Sequence, residues 1–300
     1  MKHPLLAARL YNTPHMMLPE KAQIIDRVFQ GNAALVDLET TTERGLSLVD
    51  NAEERQKGLI PFEPAYDSGL IYSTQRGIAR IAVHDTLTAR NGLHPSSGMT
   101  GYNGLQAKLR TAMTDDKVRG IYLEIDSPGG EGTGALDLST EIASVNETAG
   151  GKPIMASIGT MGASAAYAIA SGADLVTASP TAEVGSIGVL AMLLDAREAL
   201  EMEGLKVTIL RSGDKKAKPN PYEDQDDEDV ARVQASMDKM YDVFAGLMAA
   251  HRGLEKQAII DQQAAIFDAD EALDRGLIDG IATPGEAFEM FAAYVGQANS

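Results

Sequence analysis

The side chains able to do covalent chemistry are few. The chain has no cysteine and five histidines, His3, His15, His84, His94 and His251. A thiol nucleophile, a disulfide framework and Cys-ligated zinc are excluded. No HExxH zinc motif, Walker loop or G-x-S-x-G elbow is present. No histidine falls between His94 and His251, the stretch richest in glycine turns, so a Ser-His-Asp triad through His84 or His94 has no recognisable setting. Three loops remain. Asp126-Ser127-Pro128-Gly129-Gly130 has two adjacent glycines, which let a turn aim backbone N–H groups at a ligand, as an oxyanion hole requires. Gly159 to Tyr167 puts Ser164 at the head of a small-residue helix, whose N-terminal end favours a nearby anion. The same serine also fits a helix cap. Arg211 to Pro219 carries Lys215, Lys216 and Lys218, ordinarily a solvated face. A lysine buried against Ser164 would lose its charge to desolvation and take the serine proton, so a Ser-Lys pair needs no histidine. Residue type alone does not select among the three lysines.

Strands and helices must position these loops. Strands are expected in the run from Gly77 (GIARIAVHDTL), over Gly120–Asp126, Pro153–Ile158, Asp174–Ala178, Gly185–Met192 and Lys206–Arg211. Helices are expected over Tyr102–Thr114, Gly134–Glu147, Ala163–Ser171, Ala196–Glu203 and Glu228–His251, with two short ones in DEALDRGLID and GEAFEMFAAYV. This alternation predicts an α/β fold with mainly parallel sheet and a helical C-terminal part. Residues 1–75 read as an N-terminal arm or linker, partly helical over Pro19–Gln30 and then polar and aperiodic. Residues 76–300 read as the main domain.

The 300 residues are 44% hydrophobic, enough for a sizeable core, but only 5% are aromatic and none is Trp. The net charge of −17 argues against a nucleic-acid backbone or an anionic membrane as main partner. The charge-free run Pro153–Ala173 is long enough to span a bilayer, yet it is mostly Gly, Ala, Ser and Thr and reads as strand, turn and packed helix. A soluble, intracellular protein is expected. The acidic run Glu223–Asp229 reads as a solvated loop whose last carboxylates favour the start of the next helix.

The runs IDSPGG, GASAAYAIASGAD, PTAEVGSIGV and ILRSGDKKAKPNPYE, in that order, resemble the signal peptide peptidase A family of serine peptidases, within the Clp/crotonase superfamily. SGMTGYNGLQAKL and SGDKKAKPNPYE are similar to the branch of capsid-assembly proteases of lambda-like tailed phages. The resemblance covers roughly Gly77 to Gly280. It implies repeated ββα units in a Ser-Lys peptidase domain over residues 76–300. By position it implies Ser164 as nucleophile and Lys216 as general base, with Lys215 and Lys218 as local competitors. It implies Gly129 and Gly130 as the oxyanion loop with Ala165 N–H as second donor, and Ser186 as an orienting residue. Many family members have Gly-Gly where this chain has Ala165-Ala166, which alters the acyl pocket. The resemblance implies no metal or organic cofactor and no membrane anchor, and the net charge leads us to expect no nucleic-acid partner. It further implies a homo-oligomer, with scaffold, capsid or portal proteins as substrates, acting in the host cytoplasm or the assembling procapsid. Two other readings share the motifs. One is a crotonase-like acyl-CoA enzyme using Glu183, and the other is a non-catalytic capsid assembly factor.

Overall fold

The computed structural model describes residues 15–17, 71–90 and 99–297. The helix expected over 19–30 and the polar stretch after it lie outside the described residues. In chain order the strands and helices are β1 (His15–Met17), β2 (Ser73–Gln75), β3 (Ile78–His84), β4 (Thr86–Thr88), β5 (Met99–Gly101), α1 (Tyr102–Thr114), β6 (Gly120–Ser127) and β7 (Gly129–Glu131). Then come α2 (Ala135–Val145), β8 (Ile154–Ala163), α3 (Ala165–Ser171), β9 (Leu175–Ala178), β10 (Glu183–Gly185), α4 (Arg197–Met202) and α5 (Asp227–Arg252). The remainder is α6 (Lys256–Ile260), β11 (Ile266–Phe267), α7 (Ala269–Asp274), β12 (Gly280–Ile281) and α8 (Pro284–Gln297).

The main sheet runs β11-β10-β8-β6-β3-β2, with β9 between β8 and β12. The pairs β3–β6, β6–β8, β8–β9, β8–β10 and β9–β12 are parallel. Side chains alternate across a strand, and both faces here are apolar. Ile121, Leu123 and Ile125 of β6 join Ile81, Val83, Ile154 and Ile158 in the principal core, which α1, α2, α3 and α5 cover. Tyr122, Ile78 and Met155 point the other way, onto Phe288, Phe291 and Val295 of α8. Tyr122 meets Phe288 edge-on at 5.3 Å and donates its hydroxyl to Pro284 O at 2.8 Å. Among the described residues no helix is long and apolar enough to cross a membrane; the charge-free run forms β8 and α3.

A smaller sheet, β1-β7-β4-β5, stands at the C-terminal ends of β3 and β6. There β4 is parallel to β5 and β7, and β1 is antiparallel to β7.

Two expected strands differ. Over Gly185–Met192 only the first residue is in a strand; Gly185 and Ser186 take φ of 116° and 51°, which turns the chain off the sheet edge. Beyond that turn Leu190 bridges to His15. Lys206–Arg211 forms no strand, because no sheet edge receives it; Val207 and Leu210 are 43% and 92% exposed. In contrast, β8 runs five residues past its expected end, because Met161–Ala163 pairs with β10.

Candidate active site

Ser164 stands between β8 and α3 with φ 56° and ψ −118°. A residue bearing a Cβ is strained in that region by about 1–3 kcal/mol, and such strain persists only where the surroundings over-determine it. Here they do. The Ser164 N–H donates to Gly185 O at 2.7 Å, and Ser164 O accepts from Ala168 N–H at 2.9 Å. Ala163, Ala165, Ala166 and Tyr167 around it are fully buried. A Cβ on Gly162 would stand 2.7 Å from Ile158 Cδ1, so the approach to the turn has no room for a side chain. Ser164 itself is 1% exposed, and its Oγ has no hydrogen-bond partner among the described residues.

The glycine loop lies against this serine. A Cβ on Gly129, whose φ is 93°, would stand 3.0 Å from Ser164 Cβ and from Ala163 O. A Cβ on Gly130 would stand 1.8 Å from Leu87 O. Both positions therefore exclude any larger residue, one by conformation and one by space. Ser127 Oγ donates to Asp85 O at 2.5 Å and accepts from Gly129 N–H at 3.1 Å. That spends the Gly129 amide on the turn. Gly130 is paired with Met16 of β1 and with Leu87 of β4, so its N–H serves the small sheet as long as β1 is in place. Ala165 opens α3, so its N–H has no acceptor within the helix. Ser186 is 6% exposed in the turn beside Gly185, and its N–H donates to Ala265 O at 2.8 Å.

The lysines are not brought to Ser164. They lie on the loop between α4 and α5, where Lys216 is exposed and its N–H closes a turn onto Gly213 O at 3.0 Å. Lys215 pairs with Glu228. Lys218 pairs with Asp226 at 3.0 Å and with the buried Asp229 at 3.4 Å. Asp226 also accepts from Asp229 N–H at 2.8 Å, capping α5, so the acidic run does serve the helix start. Lys216 is the lysine of the three with no ion pair among the described residues.

The other sequence candidates sit elsewhere. His94 lies outside the described residues. His84 ends β3, its Cα opposite Asp126. His251 of α5 has Nδ1 3.1 Å from Ser171 Oγ, and burial followed by the Arg252 charge pushes its pKa down. It lines a polar cleft of about 410 Å³ with Asn146, Asp174, Arg252 and Asp279, apart from Ser164. Glu183 is exposed on β10, flanked by buried Ala182 and Val184. Sequence reasoning assigned no role to His15–Met17, which pairs with the glycine loop. Its only signal is His-Met-Met-Leu between Pro14 and Pro19, too short to show a period.

Comparison with known proteins follows the same lines. The model of Peptidase family S49 matches residues 146–297, a span that contains Ser164, Ser186 and Lys216. The chain is 34% identical over 288 residues to capsid assembly protease C of Escherichia phage lambda, covering 96% of this chain and 65% of that protein. It is 34% identical to head-tail preconnector protein GP5 of Enterobacteria phage P21, covering 74% of this chain and 44% of that one. It is 27% identical to a putative signal peptide peptidase SppA of Enterococcus faecium, covering 61% of this chain and 53% of that one. The chain thus spans less than two thirds of the length of each of these relatives. With a family model matched over half its residues, on a mainly parallel α/β fold, the chain belongs to peptidase family S49.

Proposed function

We propose that the protein is a serine endopeptidase that uses Ser164 and Lys216 and cleaves capsid-assembly proteins during phage head maturation. The observation that carries the reading is Ser164 itself, a buried hydroxyl without a partner among the described residues, held in a strained strand-to-helix turn against a loop that admits only glycine. Lys216 removes the hydroxyl proton as Oγ attacks the scissile carbonyl. The N–H groups of Gly130 and Ala165 stabilise the oxyanion. Lys216 then protonates the leaving amine, and water, deprotonated by Lys216, releases the acyl group. Ser186, in the turn that holds the Ser164 amide, orients the lysine. The capsid substrates are inferred from the printed names of the phage relatives.

For proton transfer Nζ must come within about 2.6–3.2 Å of Oγ. Lys216 gets there when its loop folds over the site or when a second copy supplies it. The exposed Met202, Leu205, Val207 and Leu210 in the same segment support a second copy, since so apolar a surface favours cover. Intact-mass analysis of wild type, Ser164→Ala and Lys216→Ala, each co-expressed with the adjacent scaffold and major capsid proteins, tests the dyad. Trimming in wild type alone is expected; trimming that survives in either variant refutes that residue's role. Mixing the two inactive variants restores trimming only if the pair is completed between copies.

A further inference from the structure

The segment β1 lies on the candidate site in the geometry of a bound peptide. It runs antiparallel to β7, with His15 opposite Glu131, Met16 opposite Gly130 and Met17 opposite Gly129. Its chain direction therefore leads toward the glycine loop. On its other edge His15 exchanges two backbone hydrogen bonds with Leu190, N–H to O at 2.7 Å and O from N–H at 2.9 Å. The segment is thus held between two edges by main-chain groups, the way an extended peptide of any sequence is held. His15, Met16 and Met17 are 2%, 0% and 5% exposed.

One carbonyl of the segment lies near the nucleophile. The point where a Gly129 Cβ would stand is 2.2 Å from Met16 O and 3.0 Å from Ser164 Cβ. Met16 is also the residue paired with Gly130, the remaining oxyanion candidate of the loop. Its side chain enters an apolar recess: the Cβ position of Gly132 is 3.6 Å from Met16 Cγ and 2.7 Å from Met240 Sδ of α5. The main-chain pairing, the carbonyl and the side-chain recess all belong to one register, that of Met16 opposite Gly130.

We infer that His15–Met17 is a built-in occupant of the substrate cleft, with the Met16–Met17 bond at Ser164, His15 and Met16 in the subsites before that bond and Met17 just after it, and that it must leave before another peptide enters. The inference rests on the reading of Ser164 as nucleophile. The occupant matches an extended peptide with an unbranched apolar side chain at the residue before the bond.

Because the chain has no cysteine, the arm can be locked in place reversibly. A hydrogen-bonded antiparallel pair such as His15 and Leu190 has Cα atoms about 5.5 Å apart, within disulfide range. The full-length double variant His15→Cys, Leu190→Cys is treated with a fluorophosphonate probe, oxidised and then reduced, and the labelled residue is identified by peptide mass. Ser164 is expected to label at least about tenfold more slowly in the oxidised form, the ratio for an arm that leaves the cleft open about a tenth of the time when unlocked and about a hundredth or less when locked. The single variant Met16→Asp, which puts a charge into the apolar recess, is expected to label faster than wild type by a similar factor. Equal rates at Ser164 in the oxidised, reduced and Met16→Asp proteins overturn the occupancy and leave the nucleophile standing. No label on Ser164 in any form overturns the nucleophile, and the occupancy with it.

Discussion

Replacing Ser164 by alanine should stabilise the protein while removing its chemistry. Ser164 is 1% exposed, and its hydroxyl has no hydrogen-bond partner among the described residues. A buried polar group left without a partner costs about 1–3 kcal/mol. Alanine keeps the Cβ, and with it the strain at φ 56°, so the Ser164→Ala difference isolates the hydroxyl. Ser164→Gly removes both burdens. It adds about 1–3 kcal/mol of relieved strain, offset by about 0.5–1 kcal/mol for the greater freedom of glycine in the unfolded chain. At about 2 °C per kcal/mol for domains of 150–250 residues, Ser164→Ala should raise Tm by about 2–6 °C. Thermal unfolding at pH 7.5, followed by circular dichroism, should rank glycine at or above alanine, and alanine above serine. An alanine variant that melts at or below wild type refutes the argument. The Ser164 hydroxyl would then have a partner in solution, and Lys216 Nζ is the first to test. A glycine variant that melts below alanine refutes the strain argument separately.

Gly130→Ala would drive a Cβ to 1.8 Å from Leu87 O, so β7 must shift away from β4. Overpacking of this kind typically costs about 1–3 kcal/mol, and, if Gly130 is the oxyanion donor proposed above, its displacement lowers kcat by about 10²–10³; denaturant melts and turnover of the proposed capsid-protein substrate read the two effects. His251 carries a pH dependence whose sign follows from its depressed pKa. The unfolded histidine takes up a proton near 6.5 while the folded one, buried and beside Arg252, resists it. The unfolded state therefore binds more protons as pH falls through and below that value. The stabilisation is fully present above it and is lost on acidification. His251→Gln should lose less stability than wild type between pH 7.5 and pH 5.5, measured by urea unfolding, and parallel losses would refute the assignment.

How much was legible in the sequence depended on how local the deciding interactions are. The helix expected over Tyr102–Thr114 has those same ends, and the one expected over Glu228–His251 extends by a residue at each. A helix closes its hydrogen bonds within four residues, so its pattern is written in its own segment. Strands were legible where a continuous apolar run is buried between two neighbours, as in β6. They were not legible where pairing decides. Lys206–Arg211 has the composition of a strand and no edge to join, whereas Met161 and Gly162, read as a loop, and Ala163, read as the start of a helix, are strand because β10 lies beside them.

The candidate site divides in the same way. Residue types and order alone determined which chemistry remains possible: no cysteine, no well-placed histidine, a serine among small residues, paired glycines and a lysine loop. They also carried the resemblance that the family match later bore out. Only the tertiary structure decided that Gly129 meets Ser164, that its amide is spent on Ser127, and that Lys215 and Lys218 are ion-paired while Lys216 is exposed. It alone placed His15–Met17 across the loop, more than a hundred residues away in the chain. The physical reason is that a strand edge accepts any backbone of suitable direction. Which segment fills it is settled by competition among all the segments of the folded chain, and no local pattern records the winner.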